Sequence, residues 1–173
     1  DFSSFKFFAG HSLGEYSALV CSDCLKFDDA LYLLHQRGKA MQEAVPVGLG
    51  SMVAILGTKI DVIKELISLK LNKDDVCEIA NDNAEGQVIV SGKKESVERI
   101  EKVLKEKKIK SIQLKVSAPF HCRLMKPAAE YMTDKINNIE FKMPKHEIIS
   151  NVTADPITAV SYTHLRAHET CTN

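Results

Sequence analysis

Gly10-His11-Ser12-Leu13-Gly14 places a serine between two glycines in the G-x-S-x-G spacing. The stretch Phe5–Gly10 before it reads as a short strand, and a helical stretch follows to about Val20. Strand, tight turn and helix around such a serine form a nucleophile elbow. The turn is expected to leave little room two residues before and two after the serine, which glycine satisfies at both places. The hydroxyl of Ser12 then stands at a helix N-terminus, where backbone N–H groups and the helix dipole favour negative charge. The Leu13 N–H is the expected half of an oxyanion hole for a tetrahedral intermediate. A glycine-flanked turn with an idle serine is the alternative that the five residues alone leave open.

A serine hydroxyl at its ordinary pKa is a poor nucleophile and needs a neighbouring base. The chain has six histidines. His11 lies inside the turn, where its ring is expected to point away from Ser12. His35 falls in a helical stretch and His146 in a charged one. His121 follows Pro119-Phe120 in a constrained loop between a strand and a helix, the kind of segment that carries functional groups. By position alone such a histidine is more often a surface residue. His164, His168 and Cys171 can be drawn on one helical face as metal ligands, but three ligands in an uncapped tail are a weak signal, and no metal site is expected.

The elements that must position these residues are legible in outline. A second helix is expected from Asp28 or Asp29, whose carboxylates suit a first turn, to the stop at Pro46. Phe27, Leu31, Leu34, Gly38, Met41 and Val45 recur along it at helical spacing. Between Gly50 and Val116 the pattern becomes strand 51–56, helix 61–69, strands 76–80 and 87–91, helix 93–108 and strand 111–116. That βαββαβ order is the ferredoxin-like one, and it is flanked by segments that do not belong to it. The reading is therefore an α/β fold with domains at 1–49 and 117–160, interrupted by a small inserted domain at 50–116. A helix from about Met125 to Asn137 and a strand at Ile148–Asn151 complete the outer part. Residues 161–173 have no periodicity, and Ser161–Thr170 reads as a translated cloning scar, so the tail is set aside as non-native. No helical lead-in precedes the first strand, and the chain is expected to be a piece of a longer one.

Composition narrows the function classes. Lys+Arg and Asp+Glu are both 23, so there is no basic excess for nucleic acid or an anionic membrane. Five cysteines in no framework spacing suit a reducing compartment. Cys21-x-x-Cys24 is open to a redox reading, though small residues packed at a helix end explain it more simply. No apolar run approaches the roughly 20 residues of a membrane span, and no leader pattern is visible, so a cytoplasmic enzyme is expected.

Four separated segments resemble, in order, those of bacterial malonyl-CoA:acyl carrier protein transacylases. They are Gly10–Leu19, Gln36–Ala44 (QRGKAMQEA), Gln87–Gly92 (QVIVSG) and Val116–Cys122 (VSAPFHC), within a similarity covering about 5 to 155. The resemblance implies an α/β-hydrolase-like acyltransferase core, truncated at both ends here, carrying the ferredoxin-like insert. It implies that Ser12 attacks the malonyl thioester and carries the acyl group as an ester, while His121 takes and returns the proton. Arg37 holds the free carboxylate of the malonyl group, a task that suits a guanidinium fork. It sits beside the apolar stripe of its helix, where a surface arginine near Glu43 is the alternative.

The resemblance further implies that Phe120 lines the acyl pocket and crowds a substituent on carbon 2, that His11 belongs to the substrate site, and that Gln87 with Asn81–Asn83 stand at its margin. The resemblance implies malonyl-CoA as the substrate and acyl carrier protein as the partner. In that family the phosphopantetheine belongs to the partner, so no cofactor is implied, and a monomer is expected. Two parts of the family's machinery are not matched in this chain: the N-terminal loop giving the second oxyanion N–H, and the later segment orienting the histidine. These residues alone are therefore expected to turn over little. A polyketide-synthase acyltransferase domain shares the same residues. An α/β-hydrolase esterase shares only the elbow and gives no reason for Arg37 or the insert. A non-catalytic remnant predicts carrier-protein binding without acylation of Ser12.

Overall fold

The computed structural model describes residues 2–157, which form a mixed α/β fold. They fall into two compact units. The first runs to Ala40 and resumes at Ala128, and the second runs from Met41 to Pro127. The tail read as non-native, with His164, His168 and Cys171, lies outside the described residues. Among the described residues no helix is long and apolar enough to cross a membrane.

In the first unit, β1 (Phe7–Ala9) pairs in parallel with β6 (Glu147–Ile149), with Phe8 opposite Ile148. Helix α1 (Gly14–Cys21) follows the elbow, α2 (Phe27–Glu43) follows α1, and α5 (Lys126–Asn137) precedes β6. Tyr16 and Leu19 of α1, Leu33 of α2, Met132 and Ile136 of α5 and Ile148 of β6 share one apolar core. Tyr131 Oη donates to Gln36 Oε1 at 2.6 Å, tying α5 to α2.

The stripe expected along α2 holds in its later part, where Met41 and Val45 are buried and Leu34 packs partly buried against the core, but not at its start. There Phe27 and Leu31 are exposed, and the buried face carries Ala30 and Leu33, continued by Arg37 and Ala40. Residues at 3- and 4-residue spacing share a face in either register. At the start of the helix the large apolar Phe27 and Leu31 suggested one face, whereas packing turned the adjoining face with Ala30 and Leu33 inward. Arg37 is consequently buried on that face rather than placed at its border.

The second unit holds β2 (Gly50–Leu56), α3 (Ile60–Lys70), β3 (Cys77–Ala84), β4 (Gln87–Lys93), α4 (Lys94–Glu106) and β5 (Lys110–Gln113). The four strands make one antiparallel sheet in the order β3-β4-β2-β5. Central β2 and β4 carry alternating β-branched residues, and Val53, Ile55, Val88 and Val90 are fully buried against Ile63, Val97, Ile100 and Leu104 of the two helices. The 3.6-residue period of α4 aligns Val97, Ile100 and Leu104 on one face.

Burial, with Cys122 and Glu78 nearby, pushes the Cys77 thiol from an ordinary value near 9 up to about 12. Burial raises Cys122 as well. From about pH 9 towards 12 the unfolded chain releases a proton that folded Cys77 keeps, so stability falls as pH rises. Denaturant titrations between pH 8 and 11 should show a steeper loss for the native chain than for Cys77→Ala. The difference in slope should approach at most about 1.4 kcal/mol per pH unit, and equal slopes would contradict it.

Candidate functional site: an elbow serine beside a buried arginine

The turn between β1 and α1 holds Ser12 at φ 52°, in the left-handed region that few non-glycine residues adopt. Such a conformation costs on the order of 1–3 kcal/mol and persists only where its surroundings over-determine it. The first constraint is steric. A Cβ on Gly10 would lie 2.0 Å from the carbonyl carbon and oxygen of Gly14 and 2.5 Å from the Glu15 nitrogen. At Gly14 a Cβ would meet nothing within 4 Å among the described residues, and no positive φ requires glycine there. Crowding therefore demands glycine two residues before the serine, contrary to the expectation that it does so on both sides. The approach is one-sided: the backbone of 14 crosses over 10, so only the earlier residue would point into the gap.

The first turn of α1 closes on itself. Gly14, Glu15 and Tyr16 donate their N–H groups to the carbonyls of His11, Ser12 and Leu13 at 2.9, 3.2 and 3.2 Å. The Leu13 N–H takes no part in that ladder. His11 is exposed, and within the turn its carbonyl takes the Gly14 N–H.

Two further groups reach Ser12. Arg37 Nη2 donates to Ser12 Oγ at 3.0 Å, with Arg37 only 7% exposed. The Ser12 N–H donates to Asn151 Oδ1 at 3.1 Å, and the Asn151 N–H donates to Glu15 Oε1 at 3.3 Å. Glu15 is itself buried, in the first turn of α1, where a carboxylate suits the helix dipole. Asn151 reaches the serine because β6 lies parallel to β1, so both chains leave the sheet at the same end, the end where parallel α/β sheets place their sites.

Sequence reasoning missed Asn151 by reading it as the last residue of a strand at 148–151. The strand ends at Ile149 because Ser150 Oγ accepts the N–H groups of Val152 and Thr153 at 3.1 and 3.2 Å, a local turn that competes with the ladder. Local spacing gave no signal for Asn151, because it carries no trace of the pairing between its strand and β1.

Phe120 and His121 are carried by the second unit, both half-buried, with His121 at φ 58°. Their loop is pinned on both sides. A Cβ on Gly50 would lie 2.3 Å from the Pro119 ring, so β2 begins with glycine to admit the proline. Cys122 Sγ donates to the Pro119 carbonyl at 3.2 Å. Next, the Arg123 N–H donates to Glu78 Oε2 at 2.8 Å, and Arg123 Nη2 donates to the carbonyls of Lys73 and Asp75 at 3.1 and 2.7 Å. Asn81 is buried in β3 at a register shift, and Gln87 opens β4 exposed. No cluster of metal-ligating residues occurs among the described residues.

This construction has relatives. The acyl transferase domain family matches residues 6–172. The chain belongs to that family. It is 44% identical over 153 residues to the malonyl CoA-acyl carrier protein transacylase of Bacillus subtilis, covering 88% of this chain and 48% of that protein. The Haemophilus influenzae transacylase is 45% identical over 145 residues, 83% of this chain and 46% of its own. The acyl transferase chain thus spans about half the length of the curated relatives it matches. Among solved structures, the malonyl CoA-acyl carrier protein transacylase from Coxiella burnetii superposes with a TM-score of 0.90 at 37% identity, covering 97% of this chain and 53% of that one. A malonyl-transacylase solved in complex with a type II PKS acyl-carrier protein gives 0.91 at 38% identity, covering 99% and 55%.

The steric asymmetry of the elbow is directly testable. Gly10→Ala should destabilise this acyl transferase domain by about 3 kcal/mol, since backbone rather than a mobile side chain blocks the new methyl. Gly14→Ala should stay within about 1 kcal/mol of the native chain. Comparable losses from the two in urea unfolding would refute the one-sided constraint.

Proposed function

We propose that the protein transfers the malonyl group of malonyl-CoA to the phosphopantetheine thiol of acyl carrier protein, through an ester on Ser12. The observation that carries this reading is the buried Arg37 guanidinium 3.0 Å from Ser12 Oγ. A water-excluding arginine beside a nucleophile calls for an acyl group bearing its own negative charge, and the guanidinium fork matches a carboxylate with two parallel hydrogen bonds. The transacylase names and the carrier-protein complex among the relatives support the same substrate and partner.

In the first half-reaction Ser12 Oγ bonds to the thioester carbonyl carbon, and its proton passes to His121. The carbonyl oxygen takes the negative charge of the tetrahedral intermediate, which the Leu13 N–H stabilises. The intermediate collapses with cleavage of the carbon–sulfur bond, and coenzyme A leaves as the thiol with the proton from His121. In the second half-reaction the carrier thiol gives its proton to His121 and attacks the ester. Ser12 regains the proton as malonyl-carrier protein departs. Phe120 lines the acyl pocket and disfavours a branch at carbon 2. His11 contributes to the substrate site, with Gln87 and Asn81 at its margin. No bound cofactor enters either half, and the enzyme works as a cytoplasmic monomer with no nucleic-acid or membrane partner.

The architecture we assign with this function is an α/β-hydrolase-like core at 1–49 and 117–160, with a ferredoxin-like subdomain at 50–116. The β3-β4-β2-β5 order and the βαββαβ succession support that assignment. Malonyl supply to a polyketide carrier protein is a second reading, favoured by the likeness to a transacylase solved with such a carrier. Kinetics with the two carrier types separate them.

Mixing the full-length protein with malonyl-CoA should give a malonyl adduct on Ser12 in peptide mass spectrometry, absent from Ser12→Ala. An adduct that survives the substitution would overturn the assignment of the nucleophile. Arg37→Ala should slow malonyl transfer by roughly two orders of magnitude, about 2–4 kcal/mol for a lost charge-assisted pair. Acetyl transfer should fall much less. Equal losses with both acyl groups would make Arg37 a structural residue and remove the basis for acid selection.

A further inference from the structure

We infer that Asn151 is a positioning residue for the nucleophile, one that sets the reactivity of Ser12 through its backbone. The inference rests on the acyl-transfer reading for its substrate but not for its geometry. Ser12 is held at φ 52°, a conformation its own side chain disfavours. Gly10 makes that turn possible without enforcing it, because the absence of a Cβ permits many conformations. Something must select one of them.

Asn151 engages the turn at two points. Its Oδ1 accepts the Ser12 N–H at 3.1 Å, and its own N–H donates to Glu15 Oε1 at 3.3 Å. Ser12 precedes α1 and Glu15 lies in the first turn of that helix, so one residue bridges the corner between turn and helix. The bridge is anchored behind. The Ser150 N–H donates to the Asp155 carbonyl at 2.9 Å, and Ile148 at the centre of β6 is fully buried.

The Ser12 N–H is therefore committed to Asn151, and the bond fixes the direction in which Cα–Cβ, and with it Oγ, leaves the turn. Arg37 reaches that Oγ from another helix. Losing the Asn151 acceptor frees the peptide between His11 and Ser12 to rotate, moving Oγ away from both Arg37 and the attack line. Asn151 touches no reacting atom, so its loss should appear in the chemical step and not in substrate binding.

The test compares Asn151→Ala, which removes the acceptor, with Asn151→Asp, which keeps an oxygen in the same place, in the full-length protein. Two readouts are taken per folded molecule. One is the single-turnover rate of Ser12 acylation by malonyl-CoA, and the other is Ser12 labelling by a fluorophosphonate, which needs no acyl substrate. A displacement on the order of 1 Å at a reacting atom slows a reaction by about 100-fold. The Ala variant should therefore lose about 10- to 100-fold in both readouts with KM for malonyl-CoA changed less than threefold. The Asp variant should recover most of the labelling rate. Ala labelling within twofold of native, or Ala and Asp equally impaired, overturns the inference. If native Ser12 takes the fluorophosphonate but no malonyl group, the functional reading fails while the labelling comparison still decides the role of Asn151.

Discussion

The close approach of Gly10 to Gly14 governs the first unit. With 2.0 Å between a virtual Cβ and the Gly14 carbonyl, the chain can turn from β1 into α1 within four residues only if position 10 has no side chain. Within that turn Ser12 lies in the left-handed region, with its hydroxyl and its N–H on separate paths. The hydroxyl meets Arg37, and the N–H meets Asn151. Each contact presupposes the turn, and neither partner is near Ser12 in sequence.

A second dependence runs through α2. Arg37 reaches Ser12 because its helix buries the face containing Ala30, Leu33 and Ala40, and that face also carries the arginine. A buried guanidinium is expensive to desolvate and is retained where its hydrogen bonds are met. On the acyl-transfer reading a substrate carboxylate completes them. On that same reading the burial would favour an acid, since a charge removed from water acts far more strongly than one in it.

In the second unit the antiparallel sheet anchors the short loop that carries Phe120 and His121. Pro119 fits over Gly50, and Arg123 is tied through its backbone and guanidinium to Glu78 and to the chain entering β3. Phe120 and His121 lie between those two anchors, and the left-handed backbone of His121 is held by fixing both sides. Cys77 and Cys122, buried nearby, stay protonated thiols at neutral pH and pack as small apolar groups.

Much of this could be read from the residues in order. The G-x-S-x-G spacing located Ser12, and strand and helix periodicity in 50–116 anticipated β2 through β5 to within a few residues. Both signals are local: turn sterics and side-chain alternation depend on neighbours within about one helical turn or strand. Met41 and Val45 are buried as their spacing suggested, but the inward face at the start of α2 was not legible, because Phe27 and Leu31 competed there with Ala30 and Leu33 and only packing in the core chose between them. Asn151 was invisible for the same reason at longer range. Its bond to Ser12 spans 139 positions, and nothing in the sequence says that β6 lies parallel to β1. Sequence determined which residue is the candidate nucleophile and which turn presents it. Tertiary structure decided what holds that serine in place, because hydrogen-bond partners are set by distance in space, which the chain fixes only when its core closes.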